Sequence, residues 1–348
     1  MLRFSILTTI QAPTASVSTL ARFGCQFDIP VLAIGDRKSP ICEWPAGSNF
    51  LSLGRQKGLG FQLTELLPVD HYCRKNIGYL EAVARGATLI FDTDDDNAPL
   101  PHWRPRSLQS ECRYVQHGGW INVYRYFSSA RIWPRGFPLE SLQECDSTKA
   151  EPTTVRVVEC PIQQGLVNGS PDVDAVWRLV FGQDFRFDEA PSILLAPGSW
   201  CPFNSQNTWW FHSSFPLLYL PSFVSFRVTD IWRSLVAQRC LWELGYGMEF
   251  HSPESFQDRN AHNLLRDFEE EVPAYLNNNR IISILERLQL ASGTDNIGDN
   301  LHRCYTALVS AGIIPAQEMP LVEAWLVDIS SSRTRSGLEL AASEASGP

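Results

Sequence analysis

The chain has 348 residues, of which 44% are hydrophobic and 19% charged, a composition typical of a folded globular protein. The formal net charge of −9 excludes an extended nucleic-acid-binding surface, because such surfaces depend on clustered Lys and Arg. This length corresponds to roughly two domains, or to one large domain with an appendage.

Short apolar runs alternate with helical patterns from the N-terminus onward. Residues 4–10 have the pattern of a strand, residues 14–23 that of a helix, and residues 30–35 that of a second strand. We therefore predict that the chain opens an α/β sheet.

A longer helical pattern leads into the next strand. Apolar residues recur at helical spacing over residues 77–84, and Gly86 marks the end of that helix. A strand over residues 88–91 follows, and it runs directly into "DTDDD", residues 92–96. Ligands of open α/β sheets bind outside the carboxyl ends of strands, so we expect a ligand beside these acids.

The rest of the chain changes character near residue 255. Further β-rich runs occur at residues 112–127, 155–159 and 223–228, and only amphipathic helical patterns follow residue 255. The predicted parts are therefore a sheet-containing domain over residues 1–255, a helical subdomain over 256–330 and a mobile tail over 331–348.

The nine cysteines include no CxxC pair and no close Cys/His group of the kind that binds zinc. We interpret them as reduced core thiols, and the odd number favours a cytoplasmic location. The longest apolar neighbourhood, residues 215–226, is shorter than the roughly 20 residues that span a bilayer, and prolines interrupt it. We expect no membrane span.

The acidic run after the predicted strand is the strongest chemical signal. Four carboxylates within five residues, Asp92, Asp94, Asp95 and Asp96, disfavour one another's ionisation unless a cation neutralises them. Oxygen ligands of this kind suit Mg²⁺ or Mn²⁺, and Mg²⁺ typically shares its coordination with substrate phosphates. The run therefore predicts a site for a metal diphosphate, although a solvated acidic turn explains the same residues.

The segment "RKNIGYLEAVARGATLIFDTDDDN", residues 74–97, resembles the region leading to the Asp-x-Asp motif of nucleotide-sugar-dependent glycosyltransferases with the GT-A fold. Four other stretches are similar, in the same order, to the STELLO family of glycosyltransferases: "WPRGFPLE" (133–140), "QQGLVNGSPDVDAVWRL" (163–179), "PFNSQNTWWF" (202–211) and "FRVTDIWRSLVAQRCLWELG" (226–245). The C-terminal helical patterns are also similar, so the resemblance covers nearly all of residues 1–330. It implies a GT-A-like α/β fold, with a mixed, mainly parallel sheet flanked by helices.

The resemblance implies roles for the acidic run. Asp92 is expected to contact the nucleotide ribose or the metal, and Asp94 with Asp95 is expected to bind Mn²⁺ or Mg²⁺ at the diphosphate of the donor. Asp96 is the weakest candidate of the four.

Four further residues are predicted to bind the donor. Arg74 and Lys75 precede the long helix, where they can approach the diphosphate, and Asn76 can hydrogen-bond it or brace the loop. A solvated helix N-terminus is the alternative. Asp36 follows the second predicted strand, where such folds hold the base or ribose, and an ordinary turn residue is the alternative.

Sugar transfer with inversion requires a base that removes the proton of the acceptor hydroxyl. Asp230 in "VTDIWR" is the candidate, because it opens a predicted helix after an apolar run, as the base does in inverting GT-A enzymes. A helix N-cap is the alternative.

Seven residues are candidates for contact with the substrate. Asp172 and Asp174 form a second Asp-x-Asp, although acids in the first turn of a helix also stabilise the helix itself. Amides read hydroxyl groups well, and Arg binds phosphate or sugar oxygens through two donors. The remaining five candidates are Asn204, Gln206, Asn207, Arg227 and Arg233.

The aromatic triplet 209–211 can stack on a sugar ring, but we expect it in the core. The sequence therefore predicts a metal-dependent inverting glycosyltransferase that uses a UDP- or GDP-sugar donor and a glycan or other hydroxyl acceptor. The segment "NGSPDVDA" is also similar to reversibly glycosylated polypeptides, so a nucleotide-sugar mutase is one alternative, and a non-catalytic scaffold is another. Plant STELLO proteins carry an N-terminal membrane anchor and reside in the Golgi, whereas this chain begins at the first predicted strand. We therefore transfer the chemistry of the family and not its location.

Overall fold

The computed structural model describes residues 2–143, 152–153, 155–182, 184–258 and 263–345. Its centre is an eleven-stranded mixed sheet, counted over these residues, and a separate two-stranded sheet lies beside it. The strands are β1 Leu2–Thr9, β2 Val31–Gly35, β3 Ser48–Leu51, β4 Ala87–Thr93, β5 Asn97–Pro99, β6 Gln109–Val115, β7 Gly119–Trp120, β8 Val155–Glu159, β9 Ile162–Gly169, β10 Ser192–Leu195, β11 Ser199–Trp200, β12 Asn207–Phe211 and β13 Met248–Gln257.

Helices pack on the sheet and dominate the C-terminal third. In chain order they are α1 Ala15–Phe27, α2 Leu53–Lys57, α3 Gln62–Leu66, α4 Lys75–Ala84, α5 Ala175–Phe181, α6 Thr229–Trp242, α7 Leu264–Arg287, α8 Ile297–Ser310 and α9 Met319–Ala345. Short 3₁₀ turns connect several of them, and two of these turns, Tyr72–Arg74 and Phe226–Val228, lie directly before α4 and α6.

The order of strands in the large sheet is β3-β2-β1-β4-β12-β9-β13-β10-β6-β8, and β5 pairs with β13. The strands β3, β2, β1 and β4 run parallel, and β12 runs antiparallel to both β4 and β9. The predicted α/β architecture is confirmed. As a consequence, the carboxyl ends of β1, β2, β4, β9 and β13 and the amino end of β12 meet at one edge of the sheet.

The N-terminal elements follow the predicted pattern closely. Helix α1 begins after Thr14, whose hydroxyl accepts a hydrogen bond from the N–H of Val17 at 3.1 Å, as an N-cap should. It ends at Asp28, which has a left-handed backbone with φ 57°. The helix therefore extends four residues beyond the predicted end, and the three predicted strands are confirmed with small shifts of their ends.

The β-rich run at residues 223–228 is not a strand, so that prediction was wrong. It forms the 3₁₀ turn Phe226–Val228. The N–H groups of Ser222 and Phe223 donate to the carboxylate of Glu318 in the C-terminal region rather than to a neighbouring strand. A carboxylate from the 3₁₀ turn Ala316–Glu318, directly before α9, therefore satisfies the backbone N–H groups at the start of this run.

The C-terminal helices share one hydrophobic core with the sheet. The carboxylate of Asp328 on α9 accepts the N–H groups of Gln62 and Leu63 at 3.0 and 2.8 Å, and thus caps α3. The indole of Trp325 donates to the carbonyl of Pro216 at 2.9 Å. The backbone of the predicted tail is helical as far as Ala345, and its mobility stays a prediction. Within the described residues, none of the helices has both the length and the apolar content that crossing a membrane requires.

Six cysteines are buried free thiols, as predicted: Cys73, Cys112, Cys160, Cys201, Cys240 and Cys304. Cys25 and Cys42 are exposed, so the prediction of a core position was wrong for these two. Cys145 lies outside the described residues.

Candidate functional site

A cavity of about 510 Å³ opens at the edge of the sheet where these strand ends meet. Its polar lining comes from the carboxyl ends of β1 and β13, from loops that follow β1, β2, β4 and β9, and from the loop before β12. The segment before α4, the loop that carries Arg135 and the start of α6 complete it. The polar and charged lining residues are Thr8, Thr9, Gln11, Asp36, Lys38, Asp70, His71, Tyr72, Arg74, Asp94, Asp95, Asp96, Arg135, Asp172, Asn204, Gln206, Arg227, Asp230 and Gln257.

Asp94, Asp95 and Asp96 form one wall of the cavity, in the turn between β4 and β5; we call these three residues the acid loop. The hydroxyl of Tyr72 donates to Asp94 Oδ1 at 2.9 Å, and the hydroxyl of Thr9 donates to Asp95 Oδ2 at 2.6 Å.

The third acid is held by the last residue of β13, the strand that pairs with β5. The amide of Gln257 donates to Asp96 Oδ2 at 2.8 Å. Each carboxylate of the acid loop is therefore oriented by a side chain from a different part of the chain, and none of these three partners was predicted from the sequence.

Burial raises the pKa of Asp94 to about 7. The ammonium group of Lys75, 3.2 Å from Asp94 Oδ1, opposes this rise, whereas the neighbouring Asp96 and Asp92 add to it. Because 30% of the Asp94 side chain remains exposed, the carboxylate is accessible from the cavity. A group of this kind is stabilised in its charged form by an added cation.

Asp92 lies behind the cavity wall rather than on it. Its side chain is fully buried, with Lys75 Nζ 2.7 Å from Oδ1, Arg233 Nη1 3.0 Å from Oδ2, and the hydroxyl of Tyr79 donating to Oδ1 at 2.8 Å. Lys75 also donates to the carbonyl of Thr93 at 2.6 Å. These residues form an internal charge cluster beneath the acid loop. Asp92, Lys75 and Arg233 are buried outside the cavity lining, and their predicted ligand contacts stay predictions.

Asp230 faces the cavity from the first turn of α6. Arg135 Nη2 donates to both of its carboxylate oxygens, at 3.0 and 2.9 Å, and Arg135 Nε donates to Asp172 Oδ1 at 2.7 Å. Burial opposes the charge of Arg135, but Asp172 and Asp230 outweigh it and raise the pKa of Arg135 well above its usual value. One guanidinium thus fixes two predicted site carboxylates.

Arg135 reaches this position because of the glycine that follows it. Gly136 has φ +83°, a conformation that side chains other than glycine's rarely adopt. A Cβ at this position would lie 2.4 Å from Cγ2 of Ile231 on α6. The loop therefore packs directly on the helix that carries Asp230. Arg135 was not predicted as a site residue, although it lies in the quoted segment "WPRGFPLE".

Two predicted donor-binding residues do line the cavity. The carboxylate of Asp36 accepts the N–H groups of Arg37 at 2.7 Å and His71 at 3.0 Å, and it thereby holds the loop after β2 against the segment before α4. Arg74 Nε donates to Gln56 Oε1 at 2.8 Å. Contact of either residue with a nucleotide stays a prediction.

Asn204, Gln206 and Arg227 also line the cavity, as predicted for substrate contacts. The amide of Gln206 donates to Gln257 Oε1 at 2.7 Å, so the two amides are joined at the rim. Arg227 Nη2 donates to Glu271 Oε1 at 2.7 Å. The role of these side chains toward a substrate stays a prediction.

Three other predicted residues have structural positions outside the cavity. The side chain of Asn76 bonds both backbone groups of Leu220, and that of Asn207 donates to the carbonyl of Leu166. Asp174 is the N-cap of α5, where it accepts the N–H of Trp177 at 2.8 Å. Each of these side chains thus has a structural contact in the fold, and the predicted donor or substrate contacts of Asn76, Asn207 and Asp174 stay predictions. The aromatic triplet 209–211 is buried in the core, as expected.

A second group with metal-ligand atoms lies away from the cavity. Cys112, Cys160 and Glu249 are buried, and their ligand atoms lie within 4.8 Å of one another. Arg106 Nη2 already pairs with Glu249 Oε1 at 2.5 Å. The group offers three ligand atoms, whereas structural zinc sites almost always have four.

Known proteins with similar sequences align with nearly the whole chain. A family model described as STELLO glycosyltransferases matches residues 227–337. The chain is 32% identical to "Probable glycosyltransferase STELLO1" and 30% identical to "Probable glycosyltransferase STELLO2", both from Arabidopsis thaliana. Each alignment covers 94% of this chain and 44% of the relative, so the chain spans less than half the length of these relatives.

Proposed function

We propose that this chain, which is similar to STELLO glycosyltransferases over 94% of its length, transfers a sugar from a nucleotide-diphosphate sugar to a hydroxyl acceptor, with a divalent cation bound at the acid loop. The donor is a UDP- or GDP-sugar, the acceptor is a glycan or another hydroxyl compound, and the anomeric configuration is inverted. The observation that carries this proposal is the charge of the cavity lining.

The described lining of the cavity has more carboxylates than cationic side chains. Seven aspartates face it, against Lys38 and three arginines. Two of the arginines, Arg135 and Arg227, are already paired with carboxylates of the protein. A diphosphate that enters alone would be repelled, whereas a diphosphate that enters with a divalent cation is accepted. A nucleotide sugar with Mn²⁺ or Mg²⁺ fits this requirement.

The acid loop supplies the ligands for that cation. Its donor atoms are carboxylate oxygens, the type that hard cations such as Mg²⁺ and Mn²⁺ prefer. Asp94 and Asp95 would hold the metal, and Asp96 would add a third negative charge beside it. A cation held there would supply neutralisation of the charge that develops on the leaving diphosphate.

The protein itself handles the acceptor proton. Asp230 accepts this proton at a carboxylate oxygen while the acceptor oxygen attacks the sugar from the face opposite the diphosphate. Arg135 fixes the plane of that carboxylate through two hydrogen bonds from one nitrogen. Its bond to Asp172 ties the base to the part of the rim that follows β9.

Thermal unfolding with nucleotide sugars tests this proposal. The melting temperature of the wild-type chain is expected to rise with a UDP- or GDP-sugar in the presence of Mn²⁺, since a ligand that binds only the folded state stabilises it. Asp94→Asn is expected to abolish the rise. Asp28→Asn is the matched control, because Asp28 is an exposed aspartate outside the cavity lining and Asn tolerates its left-handed backbone.

Two outcomes would contradict the proposal. If neither donor class stabilises the wild type with Mn²⁺ or Mg²⁺, the cavity does not serve a nucleotide sugar. If stabilisation is equal in EDTA, the role of the metal is wrong. Product analysis after incubation with donor alone separates a mutase, which forms an isomerised sugar nucleotide, from a transferase.

A further inference from the structure

Phe226 is an aromatic side chain exposed at the cavity. It is 52% exposed and belongs to the cavity lining, whereas Trp209 and Trp210 are fully buried in the core. An aromatic side chain of this size contributes most to stability when it is buried, so a ring left open beside a polar cavity suggests contact with a ligand.

The backbone that presents this ring is fixed on both sides. Before it, the N–H of Phe223 donates to Glu318 Oε2 at 2.7 Å. After it, the carbonyl of Arg227 accepts a hydrogen bond from Arg135 Nη1, and the Arg227 side chain pairs with Glu271. The ring of Phe226 is therefore exposed on an anchored segment, which lowers the entropy that a ligand must offset on binding.

The neighbours of the ring belong to the proposed reaction site. Phe226 opens the 3₁₀ turn that leads directly into α6, Asp230 lies in the first turn of that helix, and both residues line the cavity. On its other side, Phe226 makes an edge contact with Tyr72, with ring centroids 5.6 Å apart and planes inclined at 71°. The hydroxyl of Tyr72 donates to Asp94. The ring thus contacts the tyrosine that bonds the acid loop, and it lines the same cavity as the proposed base.

We propose that Phe226 is the platform of an acceptor subsite that binds a sugar ring, so that the acceptor is a glycan rather than another hydroxyl compound. A pyranose has an apolar face of C–H groups that packs on an aromatic ring, while its hydroxyls require hydrogen-bond partners around the edge. Asp172, Asn204 and Gln206 line the same cavity and supply such partners. This inference rests on the proposed function, because it assigns the acceptor side of the same site.

The test compares three single variants with the wild type. Phe226→Ala removes the platform, and Phe226→Trp keeps an aromatic surface. Phe223→Ala is the matched control, since Phe223 is 38% exposed, lies three residues earlier and is outside the cavity lining. The probes are the methyl glycosides of glucose, galactose, mannose and xylose, with binding followed by saturation-transfer-difference NMR in the presence and absence of Mn²⁺ with UDP or GDP.

At least one glycoside is expected to bind the wild type, Phe226→Trp and Phe223→Ala. Its affinity for Phe226→Ala is expected to fall roughly tenfold, the amount that loss of an aromatic contact corresponds to. The melting-temperature rise caused by the nucleotide sugar and Mn²⁺ is expected to stay unchanged in Phe226→Ala.

Three results would overturn the inference: no glycoside binds the wild type, Phe226→Ala binds as well as the wild type, or Phe226→Ala loses the response to the nucleotide sugar, which would place the ring on the donor. The experiments distinguish failure of the acceptor platform from failure of the proposed transferase function. Glycoside binding that depends on Phe226, without any response to nucleotide sugars, would retain the platform and reject the transferase.

Discussion

Lys75 and Asp92 form a fully buried ion pair, with Nζ 2.7 Å from Oδ1, beneath the acid loop. Arg233 binds the second oxygen of the same carboxylate at 3.0 Å. Asp92, the first acid of the run, thus lies beneath the acid loop and does not line the cavity.

Lys75→Met is expected to lower the free energy of unfolding by about 2–4 kcal/mol, because it removes one cation from a buried carboxylate while Arg233 remains. Urea denaturation measures this loss. Lys57→Met, at an exposed lysine of α2, is the control. Equal stability of the two variants would show that the buried pair contributes nothing.

Asp230→Asn is expected to lower kcat by about 10²–10⁴-fold, because an amide cannot accept the acceptor's proton. The thermal response to nucleotide sugar and Mn²⁺ is expected to persist, since Asp230 lies on the acceptor side of the proposed site. Steady-state kinetics with Asp28→Asn as control checks this. Wild-type kcat in Asp230→Asn would exclude it as the base.

Arg135→Lys is expected to lower kcat although the positive charge is kept. An ammonium group cannot bind Asp172 and Asp230 in the planar arrangement of a guanidinium, so the carboxylate of Asp230 would no longer be held in its wild-type orientation. The loss is expected to be about 10-fold or more, with a smaller change in the KM of the donor. Arg186→Lys, at an exposed arginine, is the matched control. A wild-type kcat would mean that any cation at this position is sufficient.

Asp174 predicts a specific pH dependence of stability. Burial raises its pKa from 3.8 to about 7, against the opposing hydrogen bonds from Trp177 and Trp133. The folded state therefore holds a proton that the unfolded state releases, so this group makes the protein less stable as pH rises from about 4 to about 7.

Asp174→Asn removes this proton exchange. Relative to the variant, the wild type is expected to lose on the order of 2–4 kcal/mol across that pH window, in addition to any constant offset from the altered N-cap. Urea titrations at several pH values measure the difference, and Asp28→Asn serves as the control. A difference that does not change with pH would contradict the assignment.

Asp328→Ala is expected to lower the free energy of unfolding by about 1–2 kcal/mol, because two N–H groups at the start of α3 lose their acceptor. Glu323→Gln, on the same helix α9 but exposed, should change stability little. If both variants unfold at the same urea concentration, the cap does not hold α9 on the N-terminal part of the chain.

Local patterns predicted the first half of the fold well. The alternation of apolar runs located β1, α1, β2 and β4, and the acids after β4 lie at the edge of the sheet where the cavity opens. The family resemblance inferred from the quoted segments is confirmed. These features depend on residues close together in sequence, which is why periodicity and motif spacing were sufficient.

The sequence did not predict which side chains line the cavity where this depends on the exact end of a strand or on loops that are distant in sequence. Strand β4 continues two residues beyond its predicted end, so Asp92 pairs with Ile6 and Thr208 inside the sheet instead of leaving it. Tyr72 and Arg135 reach the cavity from loops whose position depends on tertiary packing. Phe226 was hidden in an apolar run that was interpreted as a strand. Sequence spacing carries no information about which of these side chains faces the cavity.

The pairing of Asp230 with Arg135 also limits how this protein can be divided. The segment that matches the family model, residues 227–337, contains the carboxylate, whereas its guanidinium partner lies in a loop outside that segment. A fragment limited to those residues would keep the sequence signature and lose the charge partner of its central acid. The smallest fragment that retains the ion pair between Arg135 and Asp230 must therefore include both the loop that carries Arg135 and helix α6. Such a fragment is longer than the segment that matches the family model.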